Sequence, residues 1–156
     1  SRKELAGAMT DWYGQPALEQ VVVGSHDRSG AVDLLLRGDA AQRAVVAWHL
    51  GWGPALEASG SDWQAPMLAA TLDDPYAAVR YIAGRSLRQL PGYEGLAYDY
   101  TSSGEARQAV ADAVIGRWPG ARPNPAVLVG PDGQIDQDTL SWFQLLRDDR
   151  PVVVSE

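Results

Sequence analysis

The sequence LDDPYAAVRYIAGRSLRQL, residues 72–90, carries the strongest structural signal in this chain of 156 residues. Asp74 is a residue type that caps the unpartnered N–H groups of a first helical turn, and Pro75 suits the turn that follows. The apolar residues recur at the spacing of one face of an α-helix: Val79, Ile82, Ala83, Leu87 and Leu90. We therefore predict a helix that begins at Asp74, buries this face and ends at Leu90, before Pro91 and Gly92.

An earlier segment, residues 39–50, has the same design, with Asp39 as its cap and an apolar face towards its end. The two segments correspond at Arg43 and Arg80, which are 37 residues apart; each is followed by an apolar residue three positions later and by a leucine seven positions later. A shorter apolar segment precedes each predicted helix. Such a repeated pair of helices is typical of an α-solenoid, in which each pair buries its apolar side against its neighbours.

The stretch Leu72–Arg80, followed by Ala83 and Leu87, resembles the second-helix signature of HEAT-type repeats, and Leu36–Arg43 resembles a variant of it. The resemblance implies a mainly all-α fold in which residues 31–118 form a short right-handed stack of HEAT-like helix pairs. It also implies a ladder of ion pairs between repeats, in which an aspartate near the turn meets an arginine of the second helix. The ladder residues would be Asp39, Asp74, Arg43 and Arg80.

Residues 47–52 and 74–87 are also similar to HEAT-like C-terminal segments of bacterial proteins that carry multihaem cytochrome modules. This second resemblance implies a helical accessory domain of an electron-transfer protein. The sequence has no cysteine and therefore no Cys-x-x-Cys-His motif for haem attachment. Any redox centre would lie outside residues 1–156, and we expect no cofactor within them.

The remaining sequence is read as part of the same single domain, residues 1–156. Residues 119–125 form a Pro-rich connector, and the apolar runs on both sides of Asp132-Gly133 predict a small β-hairpin. A last helix is predicted over 136–149, packed through Leu140, Trp142, Phe143 and Leu146. Further short helices are predicted over 1–13, 31–37, 61–72 and 102–118. Gly38 is the predicted stop of the second, and capping boxes begin the last two at Ser61 and Ser102. Gly51–Pro54 is interpreted as a helix stop, and the tail 151–154 is expected to dock or to add a strand.

Charge and composition exclude several functions. The net charge is −7, which makes general nucleic-acid binding a poor prediction because phosphate neutralisation needs a basic surface. No apolar run approaches the ~20 residues of a membrane-spanning helix, and no signal peptide is recognisable at the start. We expect a protein partner, with no nucleic acid and no membrane insertion. The compartment is left open.

Aromatic residues and arginines supply the candidate binding residues. Tyr and Trp favour interfaces, and a long connection such as 91–103 is often functional or docked by its own aromatic side chains. The candidates for partner binding, or alternatively for packing within the molecule, are Tyr93, Tyr98, Tyr100, Trp48 and Trp52. A second set forms a basic face that would take an anion or acidic partner, or pair with Asp73, Asp74 and Glu94: Arg80, Arg85 and Arg88.

Catalytic and metal-binding patterns are weak. Ser25-His26-Asp27 are contiguous and therefore point in different directions, whereas a catalytic triad needs converging side chains. His49 has no carboxylate one helical turn later that would complete a chelate. We assign no catalytic residue and no metal ligand. The predicted role is a non-catalytic protein-interaction or scaffolding domain of a larger bacterial protein; the electron-transfer accessory domain and an enzyme with dispersed carboxylates and His26 or His49 are the alternatives.

Overall fold

The structure is a computed structural model that describes residues 28–150. The predicted helix 1–13, the Ser25–Asp27 turn and the tail 151–154 lie outside this range. The described residues are mainly helical, which confirms the mainly all-α part of the predicted fold class. Their helices are α1 Gly30–Arg37, α2 Ala40–His49, α3 Gly53–Ser59, α4 Gln64–Ala69, α5 Ala77–Leu87, α6 Gly104–Arg117 and α7 Gln137–Leu145. A single 3₁₀ turn covers Pro125–Val127. Among residues 28–150 no helix has the length and apolar character needed to cross a bilayer.

The helices pack in a continuous series around one hydrophobic core. α1 contacts α2 and α7, α2 contacts α5, α5 contacts α4, and α4 contacts α6. The core cluster includes both Val46 of α2 and Leu87 of α5, so the two predicted repeat segments share one apolar interior. Ile82 is only partly buried, whereas the other predicted core residues of the 72–90 segment are fully buried.

The helices α2 and α5 run side by side in the same direction. At their first turns, the Arg43 side chain of α2 reaches Asp74, three residues before α5 begins. At their last turns, Gly51 lies so close to Ser86 that a Cβ on Gly51 would stand 2.7 Å from the Ser86 Cα. Only glycine permits this approach of the two backbones. α2 and α5 are therefore parallel and in contact at both ends.

Arg43 forms one of the ladder pairs that the resemblance implied, and it is fully buried. Its Nε donates to one Asp74 oxygen at 2.7 Å, and its Nη2 donates to the other at 3.1 Å and to Asp149 Oδ1 at 3.3 Å. Its Nη1 donates to the carbonyls of Gly38, at 2.6 Å, and Asp148, at 2.9 Å. These bonds use all five N–H groups of the guanidinium. Arg43 thus links α2 and the turn before α5 to residues 148–149.

The other two ladder residues have different roles. Asp39 caps its own helix: its carboxylate accepts from the Gln42 N–H, and the Gln42 side chain accepts from the Asp39 N–H in return. Arg80 donates to the backbone carbonyls of Asp74 and Pro75 rather than to a carboxylate. The Asp74 side chain accepts from Arg43 instead, through both of its oxygens.

Four local predictions differ from the structure. The segment around Asp132-Gly133 contains a turn and two isolated bridges in place of a β-hairpin, because Pro125–Val127 form a 3₁₀ turn that takes up the predicted first strand. Trp142 and Leu146 are exposed rather than packed. α5 begins at Ala77, not at Asp74, since the Asp74 side chain accepts from the Tyr76 N–H in an extended turn before the helix. α4 begins at Gln64, without the capping box predicted from Ser61.

Candidate interaction surface

The connection between α5 and α6 is held against α5 by the candidate arginines. Arg88 donates to the carbonyls of Leu96 and Tyr98, and Arg80 donates to the carbonyl of Tyr100. Carbonyl oxygens of this loop would otherwise lack partners within the protein, so a charged donor is an effective anchor. Neither predicted role of these two arginines, anion binding or pairing with Asp73, Asp74 and Glu94, matches these contacts.

Tyr93 and Tyr98 pack within the molecule. Tyr93 is buried, and its hydroxyl donates to the Val114 carbonyl at 3.4 Å. The Tyr98 ring lies on Gly84, where a Cβ would stand 2.4 Å from the ring, and its hydroxyl donates to the Leu72 carbonyl at 2.6 Å. Burial raises the pKa of Tyr98 to about 12, so the hydroxyl keeps the proton that it donates. Burial raises the pKa of Tyr93 as well, partly opposed by the charge of Arg117.

Tyr100 differs from the other two tyrosines because it reaches the surface. Its ring makes an edge contact with Tyr81 of α5, with 5.3 Å between the ring centroids. Tyr81 is 50% exposed. Tyr81 is not among the binding residues predicted from the sequence. Its position two residues after Val79, off the apolar face of the helix, is the signal that could have indicated its exposure.

Trp48 and Trp52 stack on each other at the end of α2, with ring centroids 5.5 Å apart and planes 20° from parallel. Trp48 is 46% exposed and Trp52 is 44% exposed. His49 contacts both rings by their edges, and its Nδ1 lies 2.9 Å from the Val45 carbonyl oxygen, which fixes the orientation of the imidazole. Val45, one turn earlier on the same face, is exposed too.

Arg85 joins the tryptophans to the tyrosine pair. It is exposed on α5, four residues after Tyr81 and therefore beside it on the helix surface. Together with Trp48 and Trp52 it lines a pocket of about 230 Å³, whose other lining residues are Gly51, Gly53, Ser86 and Gln89. Arg85 thus has the tryptophan pair on one side and the tyrosine pair on the other. We call the exposed apolar and aromatic side chains around it the aromatic surface: Val45, Trp48, Trp52, Tyr81 and Tyr100.

A larger cleft of about 580 Å³ lies between α4, α6 and α7. Asp73, Asp112 and Arg147 contribute its charged groups. Asp73 pairs with Arg107 at 2.7 Å, Asp112 accepts from Gln108 and Arg147 pairs with Asp149 at 2.9 Å. No histidine lines this cleft, and no carboxylate lines the smaller pocket. Within residues 28–150 no group of three His, Asp or Glu side chains is placed to hold a metal ion.

The chain end of the described region is fastened by polar contacts. The Asp148 N–H donates to the Arg37 carbonyl, and the Tyr76 hydroxyl donates to the Arg150 carbonyl at 3.0 Å. The hydrogen bond from the Arg150 side chain lowers the pKa of Asp148 to about 2 from its usual 3.8.

This shift predicts a loss of stability in acid. A folded-state pKa below the unfolded value means that the contribution of Asp148 is present above about pH 4 and lost as the pH falls to about 2. We expect the melting temperature of the wild type to fall towards that of Asp148→Asn over this interval. Thermal unfolding of both proteins across it is the measurement. A constant difference between the two proteins would contradict the assignment.

No family model, curated protein or solved structure matches the chain. The function proposed for the candidate site is therefore argued only from the positions, exposure and charges of its residues.

Proposed function

We propose that the chain is a non-catalytic protein-interaction domain in which HEAT-like helix pairs hold the aromatic surface in a fixed shape. The observation that carries the proposal is the stacked, half-exposed pair Trp48 and Trp52 beside the exposed Arg85. Trp, Tyr and Arg are the residue types that contribute most to binding at protein interfaces. Clustered exposed apolar side chains lower the solubility of a protein, and they commonly mark a binding site.

The repeat-like part of the proposal is supported by the packing of α2 and α5. These helices are parallel, they carry the two segments of the predicted 37-residue repeat, and Arg43 of α2 bonds to Asp74, just before α5. Helices fixed in this way lose little conformational freedom when a partner binds, which lowers the cost of association. The aromatic surface includes exposed residues of both helices, Val45 and Trp48 of α2 and Tyr81 of α5.

The alternative functions have weaker support. An accessory domain of an electron-transfer protein would also bind a partner through the aromatic surface. The two functions differ in the identity of that partner, which would be a redox protein in the electron-transfer case. An enzyme would need a pocket that joins a histidine to a carboxylate, and the two pockets described above do not combine them. His26, the other histidine, lies outside the described residues.

The proposal is tested by selection from a displayed library of short random peptides. The wild type, a Trp48→Ala/Trp52→Ala variant and a Leu34→Ala control are compared, since Leu34 is a singly exposed apolar residue of α1. We expect the wild type and the control to enrich the same peptides and the tryptophan variant to lose them, with affinity reduced about 30-fold or more.

The melting temperature separates a lost site from a lost fold. Both tryptophans are half exposed, so the variant should unfold within a few degrees of the wild type. Failure of the wild type to enrich any peptide would contradict the proposal. Peptides that bind the tryptophan variant equally well, or that depend instead on Trp142 of α7, would contradict it as well.

A further inference from the structure

We infer that the pocket between the ends of α2 and α5 binds an acidic side chain of an extended partner segment. In this inference Arg85 pairs with the carboxylate, and Trp48 and Trp52 pack against the neighbouring residue of the same segment. The inference rests on the proposed function and specifies the chemistry of the partner.

The size of the pocket restricts its occupant. A volume of about 230 Å³ is below the roughly 300–1,000 Å³ of sites for drug-sized ligands and cofactors. It is several times the roughly 30 Å³ that one water molecule takes in the liquid. One side chain with its adjoining backbone is therefore a suitable occupant.

The charge of the pocket selects an acid. Arg85 is the only charged residue among those that line it. Within residues 28–150 it makes no ion pair and no side-chain hydrogen bond, whereas Arg80 and Arg88 donate to backbone carbonyls. A guanidinium whose donors face solvent matches a carboxylate with two parallel hydrogen bonds. Nucleic-acid binding is not expected here, because one exposed arginine in a protein of net charge −7 cannot neutralise a series of backbone phosphates.

The two walls of the pocket differ in chemistry, and this favours a peptide. The wall on α2 is the stacked tryptophan pair, which offers flat apolar area to an apolar or proline residue. The wall on α5 adds the Gln89 amide, which can both donate to and accept from a peptide backbone. Gly53 contributes backbone without a side chain, and a Cβ there would meet nothing within 4 Å, so an extended segment can lie close to it.

The experiment repeats the peptide selection with Arg85→Glu and Arg85→Gln, alongside the wild type. We expect the peptides enriched by the wild type to contain Asp or Glu beside an apolar or proline residue. Changing that acid to its amide should weaken binding about tenfold, and Arg85→Gln should weaken it by a similar factor. Arg85→Glu should reject acidic peptides and accept versions in which the acid is replaced by Lys.

The outcomes separate this inference from the proposed function. Enriched peptides that require Trp48 and Trp52 but carry no acid, or bind Arg85→Glu unchanged, would overturn the acidic anchor and leave the interaction surface in place. Failure to enrich any peptide would overturn both. The melting temperature of each Arg85 variant serves as the folding control, since an exposed side chain should change it little.

Discussion

Replacing Arg43 with alanine is expected to lower the free energy of unfolding by about 3–5 kcal/mol, because removing one partner of a buried ion pair leaves the other charge buried and unpaired. The substitution leaves the Asp74 carboxylate, 1% exposed, without its bidentate donor. It also removes the donor from the carbonyls of Gly38 and Asp148. Urea denaturation followed by circular dichroism measures the effect.

The neighbouring aspartate provides a matched control. Asp73 pairs with Arg107 at 2.7 Å, but its side chain is 42% exposed. Exposed pairs contribute about 0–1 kcal/mol, so Arg107→Ala should have a much smaller effect than Arg43→Ala. Adding Asp74→Ala to Arg43→Ala should recover part of the loss, because the unpaired buried charge is then removed. Equal effects of the two arginine substitutions would contradict the buried role of Arg43.

Replacing Gly51 with alanine is expected to destabilise the protein by about 1–3 kcal/mol, the usual cost of overpacking. The new Cβ would stand 2.7 Å from both the Cα and the Cβ of Ser86. Because one of these atoms belongs to the backbone, a side-chain rotation cannot relieve the contact. The ends of α2 and α5 must separate instead, which also displaces the tryptophan pair from Arg85.

Gly116→Ala is the control for this substitution. Gly116 is exposed on α6, and a Cβ there meets nothing within 4 Å. The alanine reduces the freedom of the unfolded chain, so the variant should be neutral or more stable by up to about 1 kcal/mol. Thermal unfolding of both variants gives the comparison. A Gly51→Ala protein as stable as the wild type would show that the two helix ends are not in close contact.

Local sequence signals predicted those parts of the fold that depend on local contacts. α1 ends at Arg37, directly before the predicted stop at Gly38, and α2 begins after its predicted cap Asp39. Ser103 caps α6, one residue from the predicted cap at Ser102, since both serines offer the same oxygen. The apolar faces of α2 and α5 also lie in the core, because helical periodicity and burial have the same cause.

The features that the sequence did not predict depend on tertiary contacts or on turn residues that suit more than one structure. Gly51–Pro54 was interpreted only as a helix stop, yet Pro54 stands in the first turn of α3, where a missing N–H costs nothing. The contacts of Arg43 with Asp148 and Asp149 join residues more than a hundred positions apart, which no local pattern encodes.

The candidate site was predicted in part. Trp48, Trp52 and Arg85 were selected from composition and spacing, and the structure brings them to one pocket. Tyr93, Tyr98, Arg80 and Arg88 were selected by the same reasoning and pack within the molecule. Composition identifies residue types that suit an interface, but burial decides which of them face solvent, and burial depends on the packing of the 91–103 connection.

The central claim is that α2 and α5 lie parallel and in contact, and so place the tryptophan pair beside Arg85. Nuclear Overhauser spectroscopy on the isotope-labelled chain tests it directly. The structure predicts a strong cross-peak between the Gly51 Hα and the Ser86 Hβ protons, because a Cβ added to Gly51 would stand only 2.7 Å from the Ser86 Cβ. Absence of that cross-peak, or cross-peaks from Gly51 to the first turn of α5 near Ala77, would contradict the parallel packing.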